Sequence, residues 1–404
     1  MAFARQALLA GNLAACEIIC RDVLGADPNQ AEASSLLALV AMAVGERERA
    51  EEYFATAISA APGDQTLRAD MERLRALPLP APVPNVPRTL LIKAWGYGFW
   101  SDVSHVLGAL LLAEITGRTP VVHWGANSLF SNGRDEAFAQ FFEPVSALTI
   151  NDLSRIHGTM FPPKWHSGNL RAEDHNKWQG LGSHAGACYF LNRPEPLAVS
   201  DFYMGIYDVM PWIPRTHALF GKSLIELYRA MIAKYLKPQA AILEAANYFH
   251  RAHLRDAPYV AVHLRGSDKI IEDTNLAANN AALIAELDKV PSDLRIFLLT
   301  DDANILANMQ SRYGARLVVT DSQRADGMLG AHYRPEQDRV KGGREVMIDT
   351  YLALKAERFF GNAQSNVASM IVFLKEWPEG ALTLVGTSLL AERQLPLFLV
   401  KSKP

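Results

Sequence analysis

The sequence predicts an α/β protein in which two Rossmann-like domains, each built on a parallel sheet, follow a small all-α repeat domain. Three observations carry that expectation. The first 77 residues are self-similar at a spacing of 34; five prolines (Pro78, Pro80, Pro82, Pro84 and Pro87) then fall within ten residues; beyond them, short apolar runs of strand length alternate with helical patterns. The length agrees, since 404 residues at roughly 150 per domain imply two or three domains. Lys+Arg 40 against Asp+Glu 43 leaves a formal net charge of −3. That balance argues against a broad basic face for nucleic acid, while leaving room for one local cationic pocket.

The helical repeat comes first along the chain. Gly11 and Gly45 are 34 residues apart, as are Cys16 and Ala50, Leu24 and Ile58, and Pro28 and Pro62. Glycine suits the turn, proline the exit from the second helix, and small residues at 16 and 50 a close helix–helix approach. The period resembles the tetratricopeptide repeat over residues 1–77, with an incomplete first unit and a capping helix near Asp64–Leu77. Such a stack implies a concave surface for a protein partner or a contact between two copies. An ordinary helical bundle is the plainer alternative. The prolines of 78–87 exclude helix and read as a semi-rigid linker.

After the linker the pattern becomes strand–loop–helix. "TLLIKAW" and "RTPVVHW" read as strands flanking a helix over Val103–Thr116, and "YVAVHLR", "RIFLLTDD", "ARLVVT" and "RFFGN" read as later strands. The interval Asn151–Ile213, rich in Trp, His, Gly and Pro, reads as loops over a cleft. It separates two sets of elements, expected as domains at 88–225 and 226–404. A ligand is then expected beyond the carboxyl ends of the strands, between the halves.

Four segments there can carry chemistry. In "YVAVHLRGSDKIIED", His263 and Arg265 share one face at a strand's carboxyl end. A guanidinium there matches two oxygens of a diphosphate, and His263 suits ribose or phosphate. The bland alternative is an Arg265 ion pair with Asp268 or Asp301. In "FLLTDDANIL", Asp301 or Asp302 is expected to cap the helix that follows. Asp349 lies within a helical apolar pattern, where a solvated face is the plain reading. The turn Gly361–Asn366 opens a helix, and its amides with the Ser365 hydroxyl suit an anion. "GYGFWSD", with Gly98, is a glycine-containing strand–helix loop.

Taken together, these segments resemble the fucosyltransferases that use GDP-fucose, especially the α1,6-type group containing the nodulation-factor and core N-glycan enzymes. "TGRTPVVHW…NSLF…EAFAQFFEPV", "HLRGSDK", "FLLTDDANIL" and "SQRADG…IDTYLALKAERFFGNAQSN" occur in consistent order over roughly residues 88–385. The resemblance implies a GT-B glycosyltransferase of two Rossmann-like domains and inverting, metal-independent transfer of fucose to a hydroxyl of a glycan or glycoconjugate. It implies that Arg265 holds the β-phosphate and stabilises the leaving group, His263 contacts the nucleotide, Asp349 reads the guanine edge, and Ser365 and Asn366 meet the phosphates, with Gly98 also among the donor-binding residues. It places Lys269 among the catalytic candidates and the acceptor's base at Asp273 or, next to it, Glu272. No cofactor is implied beyond the donor substrate. One departure stands out: the core N-glycan enzymes carry two consecutive arginines, where this chain has Arg265 and Gly266.

Other residues are discounted. His123, His166, His175 and His184 show no metal-ligand spacing and read as loop or core histidines. Trp165, Trp178 and Trp212 suit sugar stacking or ordinary core packing alike. Cys16, Cys20 and Cys188 are too few and scattered for a disulfide framework. No run reaches the 18 or more apolar residues of a membrane span, and the Ala-rich start, interrupted by Gly11 and Asn12, reads as repeat rather than signal peptide. A cytoplasmic protein is expected, compatible with a peripheral position at the inner membrane. Two rival readings keep the fold: a transferase for another nucleotide sugar, and a repeat scaffold with an inactive transferase domain.

Overall fold

The computed structural model describes residues 1–386 except 11, 44–45, 78–86, 127, 134–135, 173–189, 192, 201–202, 256, 267–273 and 327–337. The repeat glycines, nearly all of the proline linker, Cys188, Trp178, His175 and His184 lie outside the described residues.

Five helices open the chain: α1 (Ala2–Leu9), α2 (Leu13–Ala26), α3 (Ala31–Ala43), α4 (Arg47–Ala60) and α5 (Gln65–Ala76). The bounds of α2 and α4 are 34 residues apart at both ends, and so are the starts of α3 and α5. Asn12 caps α2 through Ala15 N, and Asp64 caps α5 through Thr66 N. Cys16 and Ala50, one period apart, are both fully buried, as close packing of consecutive helices requires. Residues of this unit, such as Leu37 and Phe54, belong to one continuous apolar cluster with Leu90, Val103 and Phe141 of the next module.

The strands are β1 (Thr89–Lys93), β2 (Thr119–His123), β3 (Met160–Phe161) and β4 (Leu197–Ser200), then β5 (Tyr259–His263), β6 (Arg295–Leu299), β7 (Leu317–Val318), β8 (Arg358–Asn362) and β9 (Leu382–Val385). They form two sheets, ordered β2-β1-β4-β3 and β7-β6-β5-β8-β9, in which every pair is parallel. The second order reverses between β5 and β8, the point at which Rossmann-like sheets open a crevice for ligands. The interval read as irregular loop holds β3 and β4, and β4 is an inner strand beside β1. Four residues, "LAVS", are too short for a periodic signal, and burial against the sheet supplies what the local pattern lacks.

Helix α6 (Phe99–Ile115) begins four residues earlier than its apolar pattern suggested, because Gly98 opens it. Every residue from Asp102 to Ala113 is buried, so the helix is enclosed on nearly every face. A Cβ on Gly108 would lie 2.3 Å from Met204 O, so only glycine lets that backbone approach. Helices α7 (Leu224–Tyr235) and α8 (Ala240–His253) follow. The second sheet is then flanked by α9 (Leu276–Leu287), α10 (Ala303–Tyr313), α11 (Arg339–Ala353) and α12 (Asn366–Leu374). The halves meet closely: Trp100 Nε1 donates to Thr350 Oγ1 at 3.0 Å, and a Cβ on Gly343 would sit 2.6 Å from the Phe141 ring.

Candidate active site

A cavity of about 340 Å3 opens between the two sheets. The first half contributes Tyr97, Gly98 and the first turn of α6, Phe99–Ser101. The second contributes His263 and Arg265 after β5, Thr300 and Asp301 after β6, Glu345 and Asp349 of α11, and Ser365 and Asn366 at the start of α12. Gly98, His263, Arg265, Asp349, Ser365 and Asn366, singled out from sequence, therefore line one space. Lys269, Glu272 and Asp273 lie outside the described residues.

Parallel pairing with both β6 and β8 makes β5 a central strand. Its end is buried, with His263 only 4% exposed. Burial, and then the neighbouring Arg265 charge, push the imidazole down to about 3, so the ring is neutral near pH 7. Its buried Nδ1 has no hydrogen-bond partner among the described residues, an uncommon situation for a polar atom away from water. Arg265 forms the ion pair with Asp301 that was the bland alternative, and it lines the cavity as well. The pair stands in the cavity wall, since Asp301 lines the cavity too.

The two aspartates after β6 divide the work. Asp301 holds Arg265, while Asp302 caps α10 by accepting from Asn304 N (2.8 Å) and Ile305 N (3.0 Å). That cap explains Gly266. A Cβ at 266 would lie 2.3 Å from Asp302 Oδ2, so no side chain fits there. The absent second arginine follows from packing in this chain.

Asp349 corrects the solvated-face reading: it is 7% exposed. Thr320 Oγ1 donates to its Oδ1 at 2.6 Å and Ser322 Oγ to its Oδ2 at 3.3 Å. Burial pushes the carboxyl up to about 7, against the opposing pull of the Thr320 hydroxyl and the Arg324 charge. A carboxyl so placed gains most from a partner with two N–H donors. At α12, Ser365 is the N-cap, its hydroxyl accepting from Val367 N at 3.2 Å. The amides and dipole of the first turn face the cavity where an anion would sit.

Sequence reasoning missed the supports. Asp102, fully buried, accepts from Gly96 N (3.0 Å) and Tyr97 N (3.1 Å), which sets the loop through Gly98; an acidic residue in the first turn of α6 was its signal. Glu345 lines the cavity and accepts from Gln323 N at 2.9 Å. Its place one turn before Asp349 on α11 could have shown it. Trp165 and Trp212 are 5% exposed and belong to the core. Among the described residues, no three His, Cys, Asp or Glu side chains gather to hold a metal ion, and no helix is long and apolar enough to cross a membrane.

No protein-family model matches the chain. Nodulation protein Z of Sinorhizobium fredii (strain NBRC 101917 / NGR234) is 23% identical over 275 residues, covering 63% of this chain and 81% of the relative. The crystal structure of the NodZ α-1,6-fucosyltransferase soaked with GDP-fucose aligns with a TM-score of 0.51 at 18% identity, over 71% of this chain and 92% of that one. The fucosyltransferase NodZ from Bradyrhizobium gives the same TM-score and identity, over 72% and 92%. The chain is thus similar to these fucosyltransferases in fold, and the GT-B architecture implied by its motifs is the one it adopts.

Proposed function

We propose that this chain is a glycosyltransferase with GDP-fucose as donor, acting on a hydroxyl of a glycan or glycoconjugate. One observation carries the reading: a cavity at the β5/β8 switch point gathers a guanidinium, a helix N-terminus and a buried carboxyl. Arg265 and the first amides of α12 suit the two phosphates. Asp349 suits the ring N–H and exocyclic amine of guanine, a donor pair that adenine lacks. His263, neutral, meets ribose or phosphate through its unpartnered Nδ1. Gly98 and its loop, held by Asp102, close the opposite wall.

Transfer is read as inverting. The acceptor oxygen attacks the sugar's anomeric carbon, the bond to the β-phosphate breaks, and GDP leaves with the electron pair. Arg265 gains most as that charge develops, which is the condition for lowering the barrier rather than merely binding substrate. With Arg265 and helix amides in this role, we read the reaction as metal-independent; chelator should leave turnover unchanged. The five helices with their 34-residue spacing are read as a tetratricopeptide-type unit that receives a protein partner or a second copy.

A thermal-shift comparison of GDP, UDP, ADP and CMP tests the donor directly. GDP should stabilise the protein well above the other three. Equal shifts favour another nucleotide sugar, and no shift at millimolar concentration favours the scaffold reading.

A further inference from the structure

Helix α11 borders two spaces. Asp338, Arg339, Gly342, Glu345, Val346 and Asp349 line the cavity described above. These positions recur every three or four residues and so form one face of the helix. Asp338, Val340, Lys341 and Arg344 line a second cavity of about 500 Å3, on the neighbouring face. The first half supplies the opposite wall of both, with Phe130 in the first cavity and Asn132, Ala137 and Gln140 in the second. The spaces therefore adjoin at Asp338, and the second, like the first, lies between the halves.

Among the described residues the second cavity carries a positive bias. Lys341 and Arg344 line it against one carboxylate, Asp338. That carboxylate is committed to the helix start, where its Oδ1 accepts from Lys341 N at 3.0 Å. Lys341 has a partner in Glu345 at 3.5 Å. Arg344 has none of opposite charge among the described residues: its Nη2 donates to the neutral amide of Gln140, at 2.8 Å across the halves. That bond, beside the close approach of Gly343 to the Phe141 ring, holds Arg344 in the cavity wall with further N–H donors to spare. Arg339, next to the residue shared by both spaces, likewise meets no carboxylate among the described residues. The amides of Asn132 and Gln140 can both donate and accept, which suits sugar hydroxyls.

We propose that this second cavity receives the acceptor glycan and selects one that carries an acidic group, a carboxylate, sulfate or phosphate; this rests on the transferase reading above. A donor in the first cavity and an acceptor in the adjoining one lie side by side without sharing a site. Arg344, whose planar donors match two oxygens of an anion, holds the acidic group with Lys341, and the two amides take sugar hydroxyls. A neutral glycan leaves the Arg344 charge with Gln140 alone and gains nothing from it.

Calorimetric titration of the full chain, saturated with GDP, tests this with trigalacturonate, galactose 6-sulfate, mannose 6-phosphate and neutral maltotriose. At least one acidic probe should bind about tenfold or more tightly than maltotriose, and salt at about 1 M should remove most of that preference. Arg344→Gln, alone and combined with Lys341→Gln, should weaken the acidic probe by about tenfold, the size of one hydrogen bond to a charged group. The GDP-induced thermal shift, measured alongside, reports that the variants are folded. With labelled GDP-fucose and a pool of acidic and neutral oligosaccharides, label should enter the acidic ones. Equal binding of acidic and neutral probes overturns the proposal, as does an affinity that both variants leave unchanged. So does an acidic probe that displaces GDP, which puts the anion in the donor cavity, or label confined to neutral oligosaccharides. Each of these leaves the transferase reading standing when GDP still stabilises the wild type. A wild-type chain that GDP does not stabilise overturns that reading, and the acceptor role with it.

Discussion

At the cavity, the second half of the molecule buries ionisable groups whose charged forms are disfavoured there, whereas the first half commits Lys93 and Asp102 to its own loops. His263 and Asp349 are buried, one pushed down to about 3 and the other up to about 7. Lys93 instead holds the turn at Leu170–Ala172, and Asp102 holds Gly96 and Tyr97. The second-half wall of the cavity is therefore built in advance at a cost in stability, as the proposed donor site would require. The other side is a scaffold that positions loops, so recognition there depends on what the loops present.

Changes on the two sides should separate accordingly. The largest effect is expected from Arg265→Ala, which removes the guanidinium proposed to stabilise the leaving group: donor turnover should fall by about 10²–10³-fold or more, with the circular-dichroism spectrum retained. Preserved kinetics would sink the contrast between a receptor half and a scaffold half.

Asp349→Asn comes next and sharpens the stability side. Because the folded carboxyl is raised from 3.8 to about 7, the folded state keeps a proton that the unfolded chain releases between those values. Wild-type stability therefore declines through that window as pH rises, by on the order of 4 kcal/mol for a shift of this size. The variant escapes this decline, so apo melting curves should move in its favour from pH 4 to 7 and stay level above, while its preference for GDP over ADP disappears. His263 acts with the opposite sign. Its folded value lies below the unfolded 6.5, so its contribution is present above pH 6.5 and is lost as pH falls toward 3. His263→Asn should flatten the acid limb that the wild type shows.

Smaller effects belong to the scaffold side. Asp102→Asn removes a carboxylate that accepts from two loop amides and should cost about 1–3 kcal/mol in urea unfolding, with donor KM raised and kcat less affected. Trp100→Phe deletes the 3.0 Å bond to Thr350 that spans the halves. About 1 kcal/mol of stability should go with it, and an unchanged denaturation midpoint would show that aromatic packing alone holds that contact.

Much of this is legible in the sequence. Apolar runs such as "YVAVH" and "RIFLL" became β5 and β6, and residues at their carboxyl ends came together as the chain order implied. The divided roles of Asp301 and Asp302 were not legible. Both sit at one strand–helix junction with the same chemistry, and only Arg265, 36 residues earlier in the chain, tells them apart. The ring of Trp165 was equally mute, since a buried and a sugar-stacking tryptophan share one local pattern.

The sequence by itself determined the alternation of strands and helices, the 34-residue helical spacing, the proline break and the segments that carry chemistry. Each depends on periodicity or residue type within a few positions, which the chain encodes locally. Tertiary structure alone decided that "LAVS" becomes an inner strand, that Gly266 excludes a second arginine, and that burial sets Asp349 near neutrality. Those outcomes depend on partners distant in sequence and on the removal of water, and neither is written in any short stretch of chain.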